Sequence, residues 1–192
     1  MLAGHMSAAD NLLAQLAALR VNDVGHITGD LRKHLRGTFE RLEAWGRPEE
    51  LCVAGLFHAV YGTFGLGDAL LGVERRPEVI AIIGGRAEEI VYLYAACDRP
   101  YFYPRLVRDD QPQYLDRFTS AVSSLTDEAL GSFCELTLAN ELDVFASNGS
   151  AYLEQYGRYY VPLFSSARFR QRLNALANTE CGLFLQSARD AR

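Results

Sequence analysis

The chain has 192 residues, of which 49% are hydrophobic and 22% are charged. These fractions are close to those of an average globular domain and exclude a disordered chain, a collagen-like repeat and a coiled coil. The net charge of −5 argues against a nucleic-acid-binding surface, and no apolar stretch approaches the roughly 18 residues that are needed to cross a membrane.

Residues 8–192 are predicted to form one domain, because the length suits a single domain and no linker or low-complexity segment divides it. Residues 1–7 resemble a cloning remnant or a disordered N-terminus and are given no role. The start of the chain shows no basic segment followed by an apolar run, so no secretory signal is expected. We therefore expect a cytoplasmic protein.

Apolar residues recur mostly at helical spacing, and the alternation typical of strands is almost absent. We therefore predict an all-α fold of about seven or eight helices. The Gly-rich residues 62–72 and the Pro-rich residues 98–113 are predicted to be loops, and residues 77–83 a short turn. The predicted helices, in chain order, cover residues 10–19, 28–45, 47–61, 87–97, 112–125, 126–147, 151–160 and 166–187.

The four cysteines lie far apart in the sequence, and each stands in an apolar segment. They form no CxxC pair, so a zinc site is disfavoured, and without a secretion signal a disulfide is disfavoured as well. We predict buried free thiols at Cys52, Cys97, Cys134 and Cys181.

Histidines stand out because polar side chains that interrupt apolar helices are candidates for function. His58 lies in the apolar segment GLFHAVY, where burial forces its imidazole to hydrogen-bond, to bind a metal or to share a proton. His34 lies at the edge of the Leu31 and Leu35 stripe, and His26 precedes the same predicted helix by one turn. The alternatives are a satisfied core histidine for His58 and a solvated residue for His26.

Polar residues also share one face of the helix predicted over residues 126–147. Thr137, Asn140 and Glu141 have helical i, i+3, i+4 spacing, and Asp143 borders their face. The remainder of this helix is apolar, so the polar face is a candidate site. A solvated polar face is the alternative.

The order of these segments resembles the HD superfamily of all-α metal-dependent phosphohydrolases. His34 is followed by CVAGLFH (52–58), then by IGGRAEEIV (83–91) and by LANEL (138–142). The closest pattern is that of the hydrolase domain of the stringent-response (p)ppGpp enzymes, and the similarity covers about residues 25–146. Phrases such as HLxGTF and WGxPE also resemble a bacterial group of HD-like proteins of unassigned function, some of them associated with specialised metabolism.

The resemblance implies a degenerate metal site. HD hydrolases bind a divalent metal through a first-helix His, a His-Asp pair and a later Asp, and this metal activates water. His34 and His58 occupy the two histidine positions, but Ala59 and Asn140 stand where carboxylates are expected. No cofactor is therefore predicted. The alternative is Fe, Zn or Mn held by the two histidines and one further ligand, for which the candidates are His26, Glu74, Glu88 and Asp143.

We favour an HD-like small-molecule enzyme in which His34 and His58 form a metal-independent acid/base pair. An imidazole has a pKa near 6.5, so modest burial would poise the pair to move protons at neutral pH. Tyr61 is expected to donate to a developing oxyanion, and Asn140 or Asp143 to fix a tautomer. The reaction would be a cyclisation, elimination, isomerisation or hydrolysis. The predicted substrate-binding residues are His26, Thr38, Thr63, Glu74, Arg75, Glu88, Asp143 and Tyr103.

Two alternatives from other classes stay open. The first is a metal-dependent phosphohydrolase or oxygenase with a rearranged ligand set. The phosphate group of such a substrate would need cationic side chains near the pocket. The candidates, which are equally well explained as surface charge, are Arg75, Arg76, Arg86, Arg99 and Arg105. The second is a non-catalytic binding protein, in which the aromatic residues 101–103 line a ligand pocket or a homodimer contact. The partner in all three cases is a small molecule, not a nucleic acid or a membrane.

Overall fold

The computed structural model describes residues 7–19, 29–63 and 69–191. In these ranges the chain forms ten α-helices, one 3-10 helix and one two-stranded antiparallel sheet, which confirms the all-α prediction with more helices than expected. The elements are α1 (Ala8–Leu19), α2 (Gly29–Ala44), α3 (Glu49–Phe57), a 3-10 helix (Val73–Arg75), α4 (Arg76–Ile83), α5 (Gly85–Ala96), α6 (Arg99–Arg108), β1 (Gln113–Leu115), β2 (Val122–Ser124), α7 (Asp127–Asn148), α8 (Ser150–Ser165), α9 (Ala167–Arg170) and α10 (Ala175–Asp190).

Helix α3 lies at the centre of the fold, and every residue from Leu51 to Phe57 is buried. This burial on all sides follows from a sequence, LCVAGLF, that has no polar face. Helix α2 packs against α3 and α7, and α5 packs against the same two helices. At Gly55 an added Cβ would lie 2.6 Å from the Leu42 side chain, so the glycine allows α2 and α3 to approach closely. The functional candidates on these four helices therefore face a common interior.

Helix boundaries follow the capping residues. Helix α7 begins after Thr126, whose hydroxyl accepts a hydrogen bond from the Ala129 amide at 3.2 Å, as the sequence predicts. The single helix predicted over residues 166–187 is wrong, because the chain forms α9 and α10 there. The break occurs where the Asn174 side chain accepts from the Ala177 amide at 2.9 Å and starts α10.

Two predicted irregular segments are helical. Residues 98–113 contain α6, which begins where the Asp98 carboxylate accepts from the Tyr101 amide at 2.9 Å. Pro100 lies in the first turn, where a missing amide hydrogen costs no helical hydrogen bond. The predicted turn over 77–83 is helix α4, which has Pro77 in its first turn for the same reason.

The helix predicted over residues 112–125 is wrong, because this segment forms the hairpin of β1 and β2. Tyr114 pairs with Ser123 at the middle of the ladder. The Asp116 carboxylate accepts from the amides of Phe118 and Thr119 at 2.8 and 3.1 Å, a local pattern that competes with helix formation.

The prediction of buried free thiols is confirmed at all four cysteines. Burial raises the pKa of each thiol, which keeps it protonated and unreactive at neutral pH. No helix in the described ranges is long and apolar enough to span a bilayer.

Candidate functional site

The imidazole rings of His34 and His58 come from neighbouring helices and contact each other through their Nε2 atoms. His34, in the second turn of α2, places its Nε2 atom 3.3 Å from Nε2 of His58, which directly follows α3. The rings are nearly perpendicular, with centroids 5.1 Å apart. His58 is 1% exposed, whereas 19% of the His34 side chain is exposed. One ring of the pair is therefore buried and the other reaches solvent.

Burial and neighbouring charge keep His58 neutral. Burial lowers the pKa of His58 to about 3, with further lowering from the charges of His34 and Arg99. Its Nδ1 atom lies 2.7 Å from the Gly55 carbonyl oxygen, which can only accept, so Nδ1 carries the hydrogen. The Nε2 lone pair of His58 consequently faces His34. The expectation of a pKa near neutrality is wrong for this ring, which serves as a weak proton acceptor.

Both ring nitrogens of His34 face hydrogen-bond acceptors, three in all. Its Nδ1 donates to Asp143 Oδ2 at 2.7 Å, because a carboxylate only accepts. Its Nε2 faces Asn140 Oδ1 at 3.0 Å in addition to His58 Nε2. Asn140 turns its oxygen this way because its Nδ2 donates to Glu141 Oε1 at 2.7 Å. A hydrogen on His34 Nε2 satisfies all of these contacts, and the geometry therefore fits an imidazolium paired with Asp143.

A glycine on α2 makes room for the Asp143 carboxylate. An added Cβ at Gly37 would overlap Asp143 Oδ1, so a larger residue there would force the carboxylate to move. Glycine within a helix costs about 1 kcal/mol relative to alanine, so its position one turn after His34 has a packing reason. The carboxylate remains 18% exposed, so this end of the site opens to solvent. A glycine interrupting a helical pattern was the available sequence signal, and our prediction missed it.

The polar face of α7 is buried, so the alternative of a solvated face is wrong for Thr137, Asn140 and Glu141. The Thr137 hydroxyl donates to a backbone carbonyl within the helix at 2.7 Å. Glu141 accepts from Asn140 through one oxygen and from the Tyr152 hydroxyl at 2.7 Å through the other. Glu141 thereby fixes the orientation of Asn140 towards His34. Tyr152 holds the other oxygen of Glu141, and no sequence signal indicated this role for Tyr152.

Tyr61 and Glu88 form a separate network instead of joining the histidines. The Tyr61 hydroxyl donates to Glu88 Oε1 at 2.9 Å. Arg76 donates to both oxygens of the same carboxylate at 2.7 and 2.8 Å. Burial and this carboxylate raise the pKa of Tyr61, so its hydroxyl stays protonated. Tyr61, the predicted oxyanion donor, and Glu88, one of the candidates for a third metal ligand, thus already hydrogen-bond to each other in this network.

Three of the predicted substrate-binding residues are close to the histidines or in the interior. The Thr38 hydroxyl donates to the His34 carbonyl at 3.1 Å, one turn back on α2. Thr63 is buried, and its hydroxyl has no hydrogen-bond partner among the described residues. Tyr103 lies on α6 with its ring centroid 6.1 Å from that of Tyr160.

Asp143 contacts His34 directly and Glu88 belongs to the network with Tyr61, but the remaining predicted substrate-binding residues do not contribute to this cluster in the described structure. Glu74 is exposed on the 3-10 helix. Arg75, on the same helix, forms an ion pair with Glu78 at 2.7 Å. His26 lies outside the described residues.

Comparison with known families gives one match. A family model described as a domain of unknown function (DUF6817) matches residues 15–99, which is less than half of the chain. The matched stretch carries both histidines of the pair and ends before α7, which supplies Asn140 and Asp143. No curated protein and no solved structure matches the chain.

We expect the stability of the fold to decrease between pH 7 and pH 5. The pKa of His58 is about 3 in the folded state, against about 6.5 for an unperturbed histidine, so the unfolded chain binds the extra proton in this range. Stability from a lowered histidine pKa is present above about pH 6.5 and is lost as the pH falls towards 3. The expected loss from pH 7 to pH 5 is about 2 kcal/mol in the free energy of unfolding, measured by urea denaturation.

The matched control is His58→Asn, which removes this titration and leaves the other groups unchanged. Between pH 7 and pH 5, the free energy of unfolding of this variant should fall by about 2 kcal/mol less than that of the unchanged protein. Equal slopes for the two proteins between pH 7 and pH 5 would contradict a neutral buried His58.

Proposed function

We propose that this protein is a small-molecule enzyme of HD-like architecture that uses His34 and His58 as an acid/base pair without a catalytic metal. The observation that carries the proposal is the hydrogen-bond arrangement of His34, whose Nδ1 contacts a carboxylate while Nε2 faces two acceptors. A ring in this position holds a proton on each nitrogen, and it is the natural proton donor of the site.

The partners define the roles of the groups. His34 is the general acid, and Asp143 orients its ring and stabilises its positive charge, as a carboxylate does behind a catalytic histidine. His58 is the acceptor, because its Nε2 lone pair lies 3.3 Å from His34 Nε2 and its other nitrogen is fixed by Gly55. A substrate that contacts both Nε2 atoms receives a proton from His34 and delivers one to His58.

This chemistry suits cyclisation, elimination, isomerisation or hydrolysis of a small organic molecule. Each of these reactions takes a proton from the substrate or from water and delivers one to the substrate or to its leaving group, and a positioned acid and base contribute about 10²–10⁴-fold to such steps. The resemblance to bacterial HD-like proteins of specialised metabolism supports a cytoplasmic small-molecule substrate and is part of the same proposal.

A metal-dependent enzyme is the second candidate, because the donor atoms converge. His34 Nε2 lies 3.3 Å from His58 Nε2 and 3.0 Å from Asn140 Oδ1. Asp143 contacts the other nitrogen of the His34 ring and would be an outer carboxylate behind a metal ligand. Zn²⁺ or Fe²⁺ accepts such nitrogen and oxygen donors and would supply Lewis-acid chemistry. The set is uncharged, and no group of three His, Cys, Asp or Glu side chains in the described part of the chain is placed to hold a metal. The fit is therefore partial.

Nitrogen NMR of the histidine rings separates the two candidates. Protein with ¹⁵N-labelled histidine is treated with chelator, its ring signals are assigned through His34→Gln and His58→Asn, and one equivalent of Zn²⁺ or Fe²⁺ is then added. The proposal expects His34 protonated on both nitrogens at pH 7, His58 protonated on Nδ1 alone, and no stoichiometric binding. Bare Nε2 atoms on both rings that shift with one metal equivalent would establish the second candidate.

Activity is tested in D₂O with the chelator-treated protein and a panel of small keto acids and carboxylic acids. An acid/base pair that acts on bound carbon acids exchanges their C–H hydrogens for deuterium, which ¹H NMR detects. Exchange without added metal supports the proposal. Exchange that requires metal supports the second candidate, and the absence of exchange and turnover across the panel would favour a non-catalytic binding protein.

A further inference from the structure

Two buried tyrosine hydroxyls, one of them on a ring that contacts His58, lack an acceptor for their hydrogen in the described part of the chain. Neither the Tyr94 nor the Tyr103 hydroxyl donates to an acceptor among the described residues, although both oxygen atoms are buried, and the neighbouring Arg99 guanidinium can only donate to Tyr94. Tyr94 is 1% exposed, and its ring centroid lies 5.7 Å from that of His58 in an edge-on contact. Buried polar groups are normally hydrogen-bonded, so two such hydroxyls in one region indicate that an external group completes the site.

A buried arginine lies with these hydroxyls. Arg99, the first residue of α6, is 9% exposed, and its guanidinium carbon lies 5.0 Å from the centroid of the Tyr94 ring. Its positive charge partly offsets the rise that burial causes in the pKa of Tyr94 and of Tyr103, and it lowers the pKa of His58. These effects require Arg99 to lie close to all three side chains. We refer to Arg99, Tyr94 and Tyr103 as the donor cluster.

The chemistry of the donor cluster selects an acceptor. A guanidinium only donates hydrogen bonds, and each free phenol hydroxyl has a hydrogen to donate. Tyr152 shows the contrast, because its hydroxyl is already used by Glu141 at 2.7 Å. A ligand that satisfies the two tyrosine hydroxyls therefore carries acceptor oxygens, and the nearby positive charge of Arg99 favours an anionic oxygen.

The surroundings favour a singly charged carboxylate over a phosphate. Glu141 lies close enough to act on the charge of Arg99. A phosphate dianion would be repelled more strongly by this carboxylate than a monoanion. Aromatic rings adjoin Tyr103, with the centroid of Phe133 at 6.4 Å and that of Tyr160 at 6.1 Å, which suits the carbon skeleton of an organic acid.

We propose that the donor cluster binds the carboxylate of a small organic acid and so presents the neighbouring carbon of that acid to His58. This inference rests on the proposed function, which it deepens by naming the substrate class. The carboxylate accepts from Arg99 and from the two tyrosine hydroxyls, and the edge contact between Tyr94 and His58 places the reacting part of the acid beside the proton acceptor.

The test removes single hydroxyl groups and measures carboxylate binding. Tyr94→Phe and Tyr103→Phe are titrated with acetate and with benzoate, followed by NMR of ¹³C-labelled tyrosine, with sodium phosphate and sodium chloride at equal ionic strength for comparison. We expect saturable binding of at least one carboxylate to the unchanged protein and about tenfold weaker binding for each variant, the usual effect of losing a hydrogen bond to a charged group.

Thermal unfolding supplies the second measurement. Tyr103→Phe should keep or raise the melting temperature of the ligand-free protein, because its deleted hydroxyl has no partner among the described residues. The matched control Tyr152→Phe deletes a hydroxyl that Glu141 uses and should lower the melting temperature by several degrees. This difference identifies hydroxyls that serve a ligand instead of the fold.

Three results would overturn the inference. The first is the absence of saturable binding of acetate and benzoate, and the second is equal carboxylate binding by the tyrosine variants and the unchanged protein. The third is tighter binding of phosphate than of both carboxylates, which would replace the substrate class. His34→Gln separates this inference from the proposed function, because it should retain carboxylate binding while losing proton exchange.

Discussion

Substitution of His34 by glutamine is expected to slow metal-free deuterium exchange of a bound organic acid by at least about 100-fold. The glutamine amide can still hydrogen-bond to Asn140, but it has no proton to give at neutral pH. The measurement compares initial rates of C–H signal loss in D₂O at saturating acid, so that a change in affinity does not enter. The effect is large because His34 is the proposed proton donor and the neutral His58 cannot replace it.

The controls for this prediction lie on the same helix. Lys33→Gln changes the exposed neighbour of His34 and should leave the rate unchanged. Gly37→Ala keeps both histidines, but its added Cβ displaces the Asp143 carboxylate, so we expect a smaller decrease in the rate. Retention of more than a tenth of the rate by correctly folded His34→Gln would contradict the assignment of His34 as the acid.

Substitution of Arg76 by methionine is expected to lower the free energy of unfolding by about 3 kcal/mol. Glu88 is buried, and Arg76 supplies two of its three hydrogen bonds. Removal of the arginine leaves a buried carboxylate with the Tyr61 hydroxyl as its remaining donor, and an uncompensated buried charge is costly. The Arg76 side chain is 34% exposed, so water reaches part of the site and keeps the loss at the lower end of the range for buried pairs. Urea denaturation at pH 7 measures it.

A double substitution identifies the buried charge as the cause. Arg76→Met combined with Glu88→Gln leaves a neutral amide oxygen to accept from Tyr61, and it should recover at least half of the loss. Arg108→Met is the matched control, because its ion pair with Asp109 is exposed, and it should leave the urea midpoint unchanged. A loss below about 1 kcal/mol in the single variant would show that water already solvates Glu88.

The sequence predicted the helices best where apolar spacing coincided with a capping residue. Helix α7 is the clearest case, because Thr126 marks its start and Asn148-Gly149 its end. The β1–β2 hairpin was missed because its contacts lie outside the local pattern, as in the hydrogen bond from the Asp98 amide to the Leu115 carbonyl. The three prolines between residues 98 and 113 predicted a loop, yet Pro100 is compatible with a first helical turn and α6 accommodates Pro104.

The candidate site was predictable as a set of residues but not as a set of bonds. Helical spacing indicated His34, His58, Asn140 and Asp143, and the structure joins them through His34. Spacing cannot show that Tyr61 turns to Glu88, since the choice depends on where α5 packs. Of the donor cluster, Tyr103 and Arg99 were already candidates from the sequence, but Tyr94 was not, because tyrosine in a mostly helical sequence is ordinarily a surface or lid residue.

The bond between His34 and Asp143 joins residues 109 positions apart. During synthesis, a nascent chain released only as far as α5 already contains both imidazole rings, but it lacks the amide and the carboxylate that later set their hydrogens. Until α7 docks, His34 lacks the two partners on that helix that orient its ring. Completion of the tertiary structure is therefore the event that, in the proposed enzyme, creates a distinct acid and a distinct base from two identical side chains.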